Sequence, residues 1–326
     1  MTFTKRLIDW YHENKRDLPF RKQKDPYKIW VSEIMAQQTQ INTMIPYYEN
    51  WIQKYPNIKA LSEADIEDVL KQWEGLGYYR RARNLHKGAL YVMENFDGDL
   101  PKSKKQLMEI PGIGEYTSSA IASIAFGLPE IAIDGNVKRV MARTLNYTEN
   151  VNTRAAHVYF ETYLKHELTL NHADPSEFTQ ALMELGALVC TPSNTECIGC
   201  PLKELCAAYR GETMGQVPFI PKAKPVPKYK KSVLIKKTDT TILLSTDSSD
   251  GLMEGLYRLP QIDDYLELNE LASLSHKFSH LQWDIKAYEV DTIDDKKHVI
   301  EVLISDLETL PIITAHKKIL KQLRIY

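Results

Sequence analysis

Apolar residues recur at helical spacing through residues 3–189, and beyond residue 231 the period shortens to the alternation of strands. Phe3, Leu7, Ile8, Trp10 and Tyr11 predict a helix over residues 3–16. Pro19 and Pro26 force an extended or turn connection across residues 17–30, and Pro26 suits the first position of a second helix with Asp25 as its N-cap. Tyr27, Trp30, Val31, Ile34, Gln38 and Ile41 form the inward stripe of that helix. Glu33 lies on the edge of the stripe, with Gln37 a turn further on and Gln40 beyond it. A carboxyl group there is partly desolvated, which raises its pKa and favours the protonated form a general acid needs. The plainer alternative is a solvated surface glutamate.

Residues 61–99 carry two helical patterns broken at Gly75-Leu76-Gly77, the first capped by Ser62, running over residues 64–70 and closed by Trp73. After the glycines, Tyr78 and Tyr79 interleave with Arg80, Arg81 and Arg83, a combination that suits stacking on bases while holding phosphates. A core role for one of the two tyrosines is the competing reading. The segment LMEIPGIGEYTSSAIASIAFG, residues 107–127, reads as helix, tight turn and helix. Positive φ is expected at Gly112 and Gly114, so that the backbone can approach a partner closely and bare N–H groups open the following helix as a phosphate site. The apolar run Ile131-Ala132-Ile133 then ends on Asp134, with Gly135 and Asn136 making a bend. After residue 231, SVLIKK, TTILLST, QWDIKAYEV and HVIEVLI read as strands and LELNELASL and AHKKILKQL as helices, an α+β domain.

The 326-residue chain is long enough for two domains, and 43% hydrophobic residues provide cores for both. The N-terminus mixes charges through its apolar positions, unlike a signal peptide, and no apolar run reaches the length of a membrane span. A soluble, cytoplasmic protein is expected. The net charge of −2 argues against a protein that coats nucleic acid, but the charge is uneven. Residues 241–326 hold 9 basic and 15 acidic groups, a net of −6, which leaves +4 on residues 1–240, where the glycine hairpin lies. Residues 217–231, VPFIPKAKPVPKYKK, contain four prolines and five lysines and read as a stiff cationic linker lying along DNA or the first domain.

All four cysteines, Cys190, Cys197, Cys200 and Cys206, fall in one C-x6-C-x2-C-x5-C span. Such clustering in a reducing compartment points to a bound metal group rather than to disulfides. Four thiolates suit zinc or a [4Fe-4S] cluster, and the presence of one C-x2-C knuckle rather than two leans to iron–sulfur.

The hairpin followed by Asp134 resembles the helix-hairpin-helix, Gly/Pro, Asp superfamily of DNA glycosylases, and the cysteine spacing matches the cluster loop of its endonuclease III and MutY branch. The segment SEIMAQQTQINTMIPYYE, residues 32–49, closely resembles the signature helix of MutY-type adenine DNA glycosylases. So does the GLGYY turn. GLMEGLYRLPQ and HKFSHLQW resemble that family's MutT-like C-terminal domain, without a Nudix box. The resemblance spans about residues 5–325 and implies a fold of two parts. The first is a mainly α catalytic domain over residues 1–215, its six-helix-barrel module about 26–130 and its iron–sulfur module 1–25 plus 131–215. The second is a smaller α+β MutT-like domain over 232–326, joined by a linker at 216–231.

The function implied is monofunctional excision of adenine mispaired with 8-oxoguanine or guanine in double-stranded DNA, by a monomer carrying a [4Fe-4S] cluster on the four cysteines. Glu33 would protonate the departing adenine, and Asp134 would stabilise the sugar cation, positioned with Asn136 and Tyr116. Bifunctional relatives carry a lysine nucleophile where this chain has Tyr116; Lys138, one turn past Asp134, is differently placed. DNA and lesion contacts are implied for Gln38, Thr39, Tyr78, Gly112, Gly114, Phe278, Ser279 and His280, and base-pocket contacts for Arg21 and Gln180. Two positions depart from the family pattern: Ala36 stands where leucine is common and Phe20 where tryptophan is common. The rival readings are an endonuclease III-like bifunctional enzyme, a nucleotide hydrolase built on the second domain, and an iron–sulfur protein that binds lesions without excising bases.

Overall fold

A computed structural model describes residues 1–222, 224–250, 252–279, 281–293 and 298–326. His280 and Gly251, both within segments singled out above, lie outside the described residues. The chain divides into two compact units, residues 1–62 with 87–222 and residues 63–86 with 223–326.

The first unit is helical. It contains α1 (Phe3–Asn14), α2 (Pro26–Ala36), α3 (Ile41–Lys54) and α4 (Ile58–Ser62). Between α5 (Ile66–Gln72), which belongs to the other unit, and α7 (Lys104–Leu107) runs α6 (Arg80–Asn95), whose residues are shared between the two. The remaining helices of the first unit are α8 (Glu115–Ala120), α9 (Gly135–Thr144), α10 (Arg154–Leu170), α11 (Pro175–Leu188) and α12 (Ala207–Arg210). Local chemistry sets their starts: Thr2, Asp25, Asp134, Thr153 and Asp174 each accept a backbone N–H of the first turn of the helix they precede. Pro26 and Pro175 occupy first helical positions, where a missing N–H costs nothing.

One core joins Phe3, Leu7 and Tyr11 of α1 to Val137 and Met141 of α9, Phe160 and Leu164 of α10, and Phe178 and Leu182 of α11. The N-terminal helix thus completes a layer built from residues far along the chain. On α2, Trp30 is fully buried and lies 2.7 Å from where a Cβ on Gly88 would stand, so α6 approaches α2 there on a bare backbone.

The second unit holds α5 and two sheets. Strands β1 (Lys228–Ile235), β3 (Gln261–Asp263), β4 (Glu270–Lys277) and β5 (Gln282–Glu289) form a sheet of order β3-β1-β5-β4, with β1 and β5 parallel and the other pairings antiparallel. Strands β2 (Thr241–Ser245) and β6 (Val299–Leu303) pair antiparallel, and α13 (Thr314–Gln322) follows. Trp283, Ile285 and Ala287 of β5 and Ile319 and Leu320 of α13 are buried. The fold class is therefore a helical N-terminal part with a sheet-containing C-terminal part, as the two hydrophobic periods indicate.

Several local expectations change. The helix expected across residues 27–41 stops at Ala36: Gln37 turns to ψ 115° and Gln38 takes a left-handed φ of 57°, so Gln38 is exposed and leaves the inward stripe. Ser62 ends α4 instead of capping the next helix, because Asp65, three residues on, captures the Glu67 N–H. LELNELASL was expected to be helical, yet residues 270–277 form β4, alternately exposed and half-buried along antiparallel partner β5. Short apolar runs fit either period, and pairing with a neighbouring strand decides between them. β1 starts at Lys228, so the last residues of the expected linker lie in the sheet. Residues 63–86, expected within the first domain, pack as one unit with 223–326.

Candidate active site and cysteine pocket

A cleft of about 690 Å³ opens in the first unit, a volume typical of small-molecule sites. Among the residues that line it are Arg21, Glu33, Tyr116, Asp134, Asn136 and Gln180, along with Gln38 and Thr39 from the break after α2. Residues from five separate stretches of chain therefore meet on one cavity.

Glu33 projects from the last turns of α2, whose neighbouring residues Ser32, Ile34 and Met35 are buried. Its Oε2 accepts a 2.5 Å hydrogen bond from the Tyr116 hydroxyl. Burial pushes the carboxyl up to about 7, and the Asp134 charge adds to that rise, while the Tyr116 hydroxyl and Arg21 oppose it. Burial, followed by the charges of Glu33 and Asp134, raises Tyr116 well above an ordinary phenol, so it stays a donor. The sequence reading assigned Tyr116 with Asn136 to Asp134; the structure instead gives the Tyr116 hydroxyl to Glu33.

Asp134 caps α9. Its Oδ1 accepts from the Val137 N–H at 2.7 Å and its Oδ2 from the Asn136 side-chain amide at 2.8 Å. Gly135 and Asn136 are thus the first helical residues rather than a separate bend, because the carboxylate takes up the free N–H groups of the helix start. Burial raises the Asp134 pKa, and the Val137 and Asn136 donors and the Arg139 charge hold it back. Donors from Val137 and Asn136 and the Arg139 charge thus offset burial at Asp134, whereas the Tyr116 hydroxyl and the Arg21 charge offset it at Glu33.

Two residues that the sequence reading passed over organise this cleft. Glu184 of α11, fully buried, accepts from the Arg16 backbone N–H and guanidinium and from Arg21 Nη2 at 2.7–2.9 Å. These bonds overcome its burial and bring its pKa down to about 2. Arg21 Nη1 is buried with no protein partner, and Arg21 is among the residues that line the cleft. Gln180 donates to Ser176 O and Oγ at 3.2 and 3.1 Å. Arg139 joins the pieces: it donates to Asn136 Oδ1 and Gly186 O at 2.8 Å and to Cys190 O at 2.6 Å. The only advance signal of these roles was a lone acid in the apolar run FTQALMELGAL and an arginine five residues after Asp134.

The hairpin also differs in detail from expectation. Gly112 has φ 86°, but Gly114 has φ −91° and ψ −173°, a backbone open to any residue. A Cβ on Gly114 would meet nothing within 4 Å in the protein, so a side chain there would be felt only by an approaching partner. Lys138 borders the cleft with Nζ 3.3 Å from Asn152 Oδ1. Phe20 stands edge-on to Tyr48, and Gln37 donates to Thr117 Oγ1 at 3.3 Å across from α8.

The four cysteines line one pocket with Val140, Arg143 and Leu202, and none forms a disulfide. Burial and the three neighbouring sulfurs push the Cys200 thiol up to about 11 against a backbone N–H from Leu202. Four thiolates can coexist at such a place only around a compensating cation, so the donor set fits a thiolate-bound metal group. Arg143 braces the loop through Thr191 O at 2.7 Å and Cys190 Sγ at 3.4 Å.

The second unit carries Tyr78, Phe278 and Ser279. Tyr78 is 44% exposed with φ 50°, while Tyr79 is buried, which divides the two tyrosines between surface and core. Phe278 and Ser279 occupy the β4–β5 turn, and Phe278 packs edge-on against Trp283 and His276 at 4.9 and 4.6 Å.

Residues 31–164 match the HhH-GPD superfamily of base excision DNA repair proteins. The chain is 36% identical over 297 residues to the adenine DNA glycosylase of Buchnera aphidicola subsp. Baizongia pistaciae, covering 86% of this chain and 84% of that protein. It is 42% identical over 229 residues to the adenine DNA glycosylase of Mus musculus, covering 67% of this chain and 44% of the mouse protein. A thermostable thymine-DNA glycosylase superposes with a TM-score of 0.57 at 26% identity, covering 64% of this chain and 95% of its own. An endonuclease III–DNA complex shares the fold with a TM-score of 0.52 at 20% identity, over 64% of this chain and 94% of that one. With a cleft that joins Glu33 to Tyr116 and Asp134 to Asn136, and with the Buchnera relative matching over most of both chains, this chain belongs to the adenine DNA glycosylase family of HhH-GPD base excision repair proteins.

Proposed function

We propose that the chain excises adenine opposite 8-oxoguanine, and opposite guanine, from double-stranded DNA without cutting the strand. The observation that carries this reading is the pair of carboxyl groups on one cleft, both raised by burial, with backbone and amide donors gathered on Asp134 alone. Glu33 holds a proton at and below about pH 7, whereas Asp134 is surrounded by donors. Adenine, rotated out of the stack into the cleft, takes the Glu33 proton at N7. The bond from N9 to the sugar then breaks with its electron pair moving to the base, and the Asp134 carboxylate stabilises the positive sugar. Water then adds to the sugar carbon, its oxygen forming the new bond and its proton passing to the Glu33 carboxylate, which completes hydrolysis and restores the acid. Tyr116 offers no amine, so no Schiff base forms and the strand stays intact. Arg21, which lines the cleft and whose buried Nη1 has no protein partner, is the residue we assign to the base edge.

A [4Fe-4S] cluster bound by Cys190, Cys197, Cys200 and Cys206 would neutralise the four thiolates and fix the loop that Arg143 and Arg139 tie to α9. Gly112 and Gly114 would let the DNA backbone come close to the hairpin. Gln38 and Thr39 would meet the opened base pair from the cleft rim. Tyr78 and the Phe278–Ser279 turn would contact 8-oxoguanine. No helix among the described residues is long and apolar enough to cross a membrane.

The test is single-turnover kinetics on a duplex with one adenine opposite 8-oxoguanine, analysed with and without hot alkali. Adenine release that needs alkali to reveal a strand break, and that disappears in Glu33→Gln, is expected. Tight binding without base loss would replace the enzyme by a lesion-binding protein, and alkali-independent cleavage would favour the bifunctional rival.

A further inference from the structure

We propose that Lys317 is a positioning residue for the Tyr78 turn, so that the C-terminal part of the chain acts on DNA partly by holding an element that precedes it. The inference rests on the functional reading above, in which Tyr78 meets the substrate. Residues 63–86 and 223–326 form one compact unit, and contacts between them flank the turn: those of Glu67, Leu70, Lys71 and Glu74 precede it, and Arg83, which donates to Glu254 O, follows it.

The turn itself is held in an uncommon conformation. Gly75 and Gly77 have φ of 102° and 71°, and Tyr78 follows with φ 50°, which a tyrosine keeps only where its surroundings impose it. Trp73 Nε1 donates to Gly77 O at 3.0 Å, and Arg81 Nη2 donates to Leu76 O and Gly77 O at 3.2 and 3.1 Å. The Arg81 guanidinium also lies over the Trp73 and Tyr78 rings, 5.2 and 5.5 Å from their centroids. Within the turn, therefore, the half-exposed Tyr78 ring is aimed outward by a rigid frame whose base is Trp73 and Glu74.

Glu74 fixes that base to the rest of the unit. Its Oε1 lies 2.6 Å from Lys317 Nζ of α13 and its Oε2 2.7 Å from Lys71 Nζ of α5. Lys71 Nζ also donates to Leu310 O at 3.2 Å. The Glu74 and Lys317 side chains are only 18% and 19% exposed, so solvent screens this pair less than a surface one. Two further contacts hold α5: Tyr257 donates to Glu67 Oε1 at 2.9 Å, and a Cβ on Gly255 would come within 3.0 Å of Leu70. Of these contacts, Lys317–Glu74 is the one that reaches the residue next to the turn, across 243 positions of sequence.

The experiment is a double-mutant cycle on the full chain. Single-turnover adenine loss opposite 8-oxoguanine, measured across protein concentration, separates the half-saturating concentration from the limiting rate. Lys317→Met should raise the half-saturating concentration about fivefold in the otherwise unmodified protein, and by less than about twofold when Tyr78→Ala is already present. Lys317→Arg should restore most of the loss, and Glu74→Gln should reproduce it from the other side of the pair, which also serves if Lys317→Met does not fold. Equal losses in both backgrounds would show that Lys317 merely stabilises its domain, and no loss in either would show that the turn holds itself; both outcomes overturn the proposal. An unmodified protein that releases no adenine would instead fail the functional reading, a result visible before any Lys317 variant is made.

Discussion

The Tyr116 hydroxyl lies 2.5 Å from Glu33 Oε2 and donates to it, joining the hairpin helix α8 to the end of α2. This bond favours the ionised carboxylate, yet burial wins and leaves Glu33 titrating near 7. Adenine release is therefore expected to fall as pH rises through about 7, where Glu33 loses the proton it must donate. Tyr116→Phe removes a contact that lowers the pKa, so the same limb should move to higher pH in a pH–rate profile.

The stability consequence of Glu33 has a definite sign. Its folded pKa, about 7, lies above the ordinary 4.5, so its contribution is fully present below 4.5 and is lost as pH rises to about 7. Denaturant titrations should show that Glu33→Gln removes this decline between pH 4.5 and 7 while abolishing excision.

Glu184 behaves oppositely. With its pKa brought from 4.5 to about 2 by Arg16 and Arg21, it stabilises the fold above 4.5 and ceases to do so as pH falls through about 2. Glu184→Ala strands two guanidinium groups beside a buried site and should cost about 3 kcal/mol, measurable by urea unfolding.

Asp134→Asn separates catalysis from folding. Asparagine caps helices about as well as aspartate, so the melting temperature should change little. Loss of the negative charge facing the sugar should slow single-turnover excision by about 10²–10³-fold.

Gly186→Ala tests the seam between α11 and α9. The new Cβ would stand 2.6 Å from Asn136 Cβ and 3.0 Å from Asn136 O, neither of which can swing aside, so helix separation should cost about 1–3 kcal/mol. Because Asn136 holds Asp134, excision should slow as well; a variant as stable and active as the original would show that the two helices part freely.

Much of this molecule is legible in the linear order of residues. The amphipathic helices over α1, α2 and α11, the Asp25 and Pro26 start, the four-cysteine span and the switch to strand periodicity after residue 231 follow from local spacing and local capping chemistry, which act within a few residues. Glu33 stood out at the edge of an apolar stripe and Asp134 at the end of an apolar run, and the family resemblance implied their roles. What the tertiary structure decided is of another kind. Whether LELNELASL became helix or strand depended on β5, which comes later in the chain. The Tyr116 partner, the Arg16–Glu184–Arg21 ion pairs and the Arg139 bridge to Asn136 and Cys190 depend on helices that meet only after folding. The same holds for the pKa values, since desolvation is a property of everything packed around a group, and no spacing along the chain measures that.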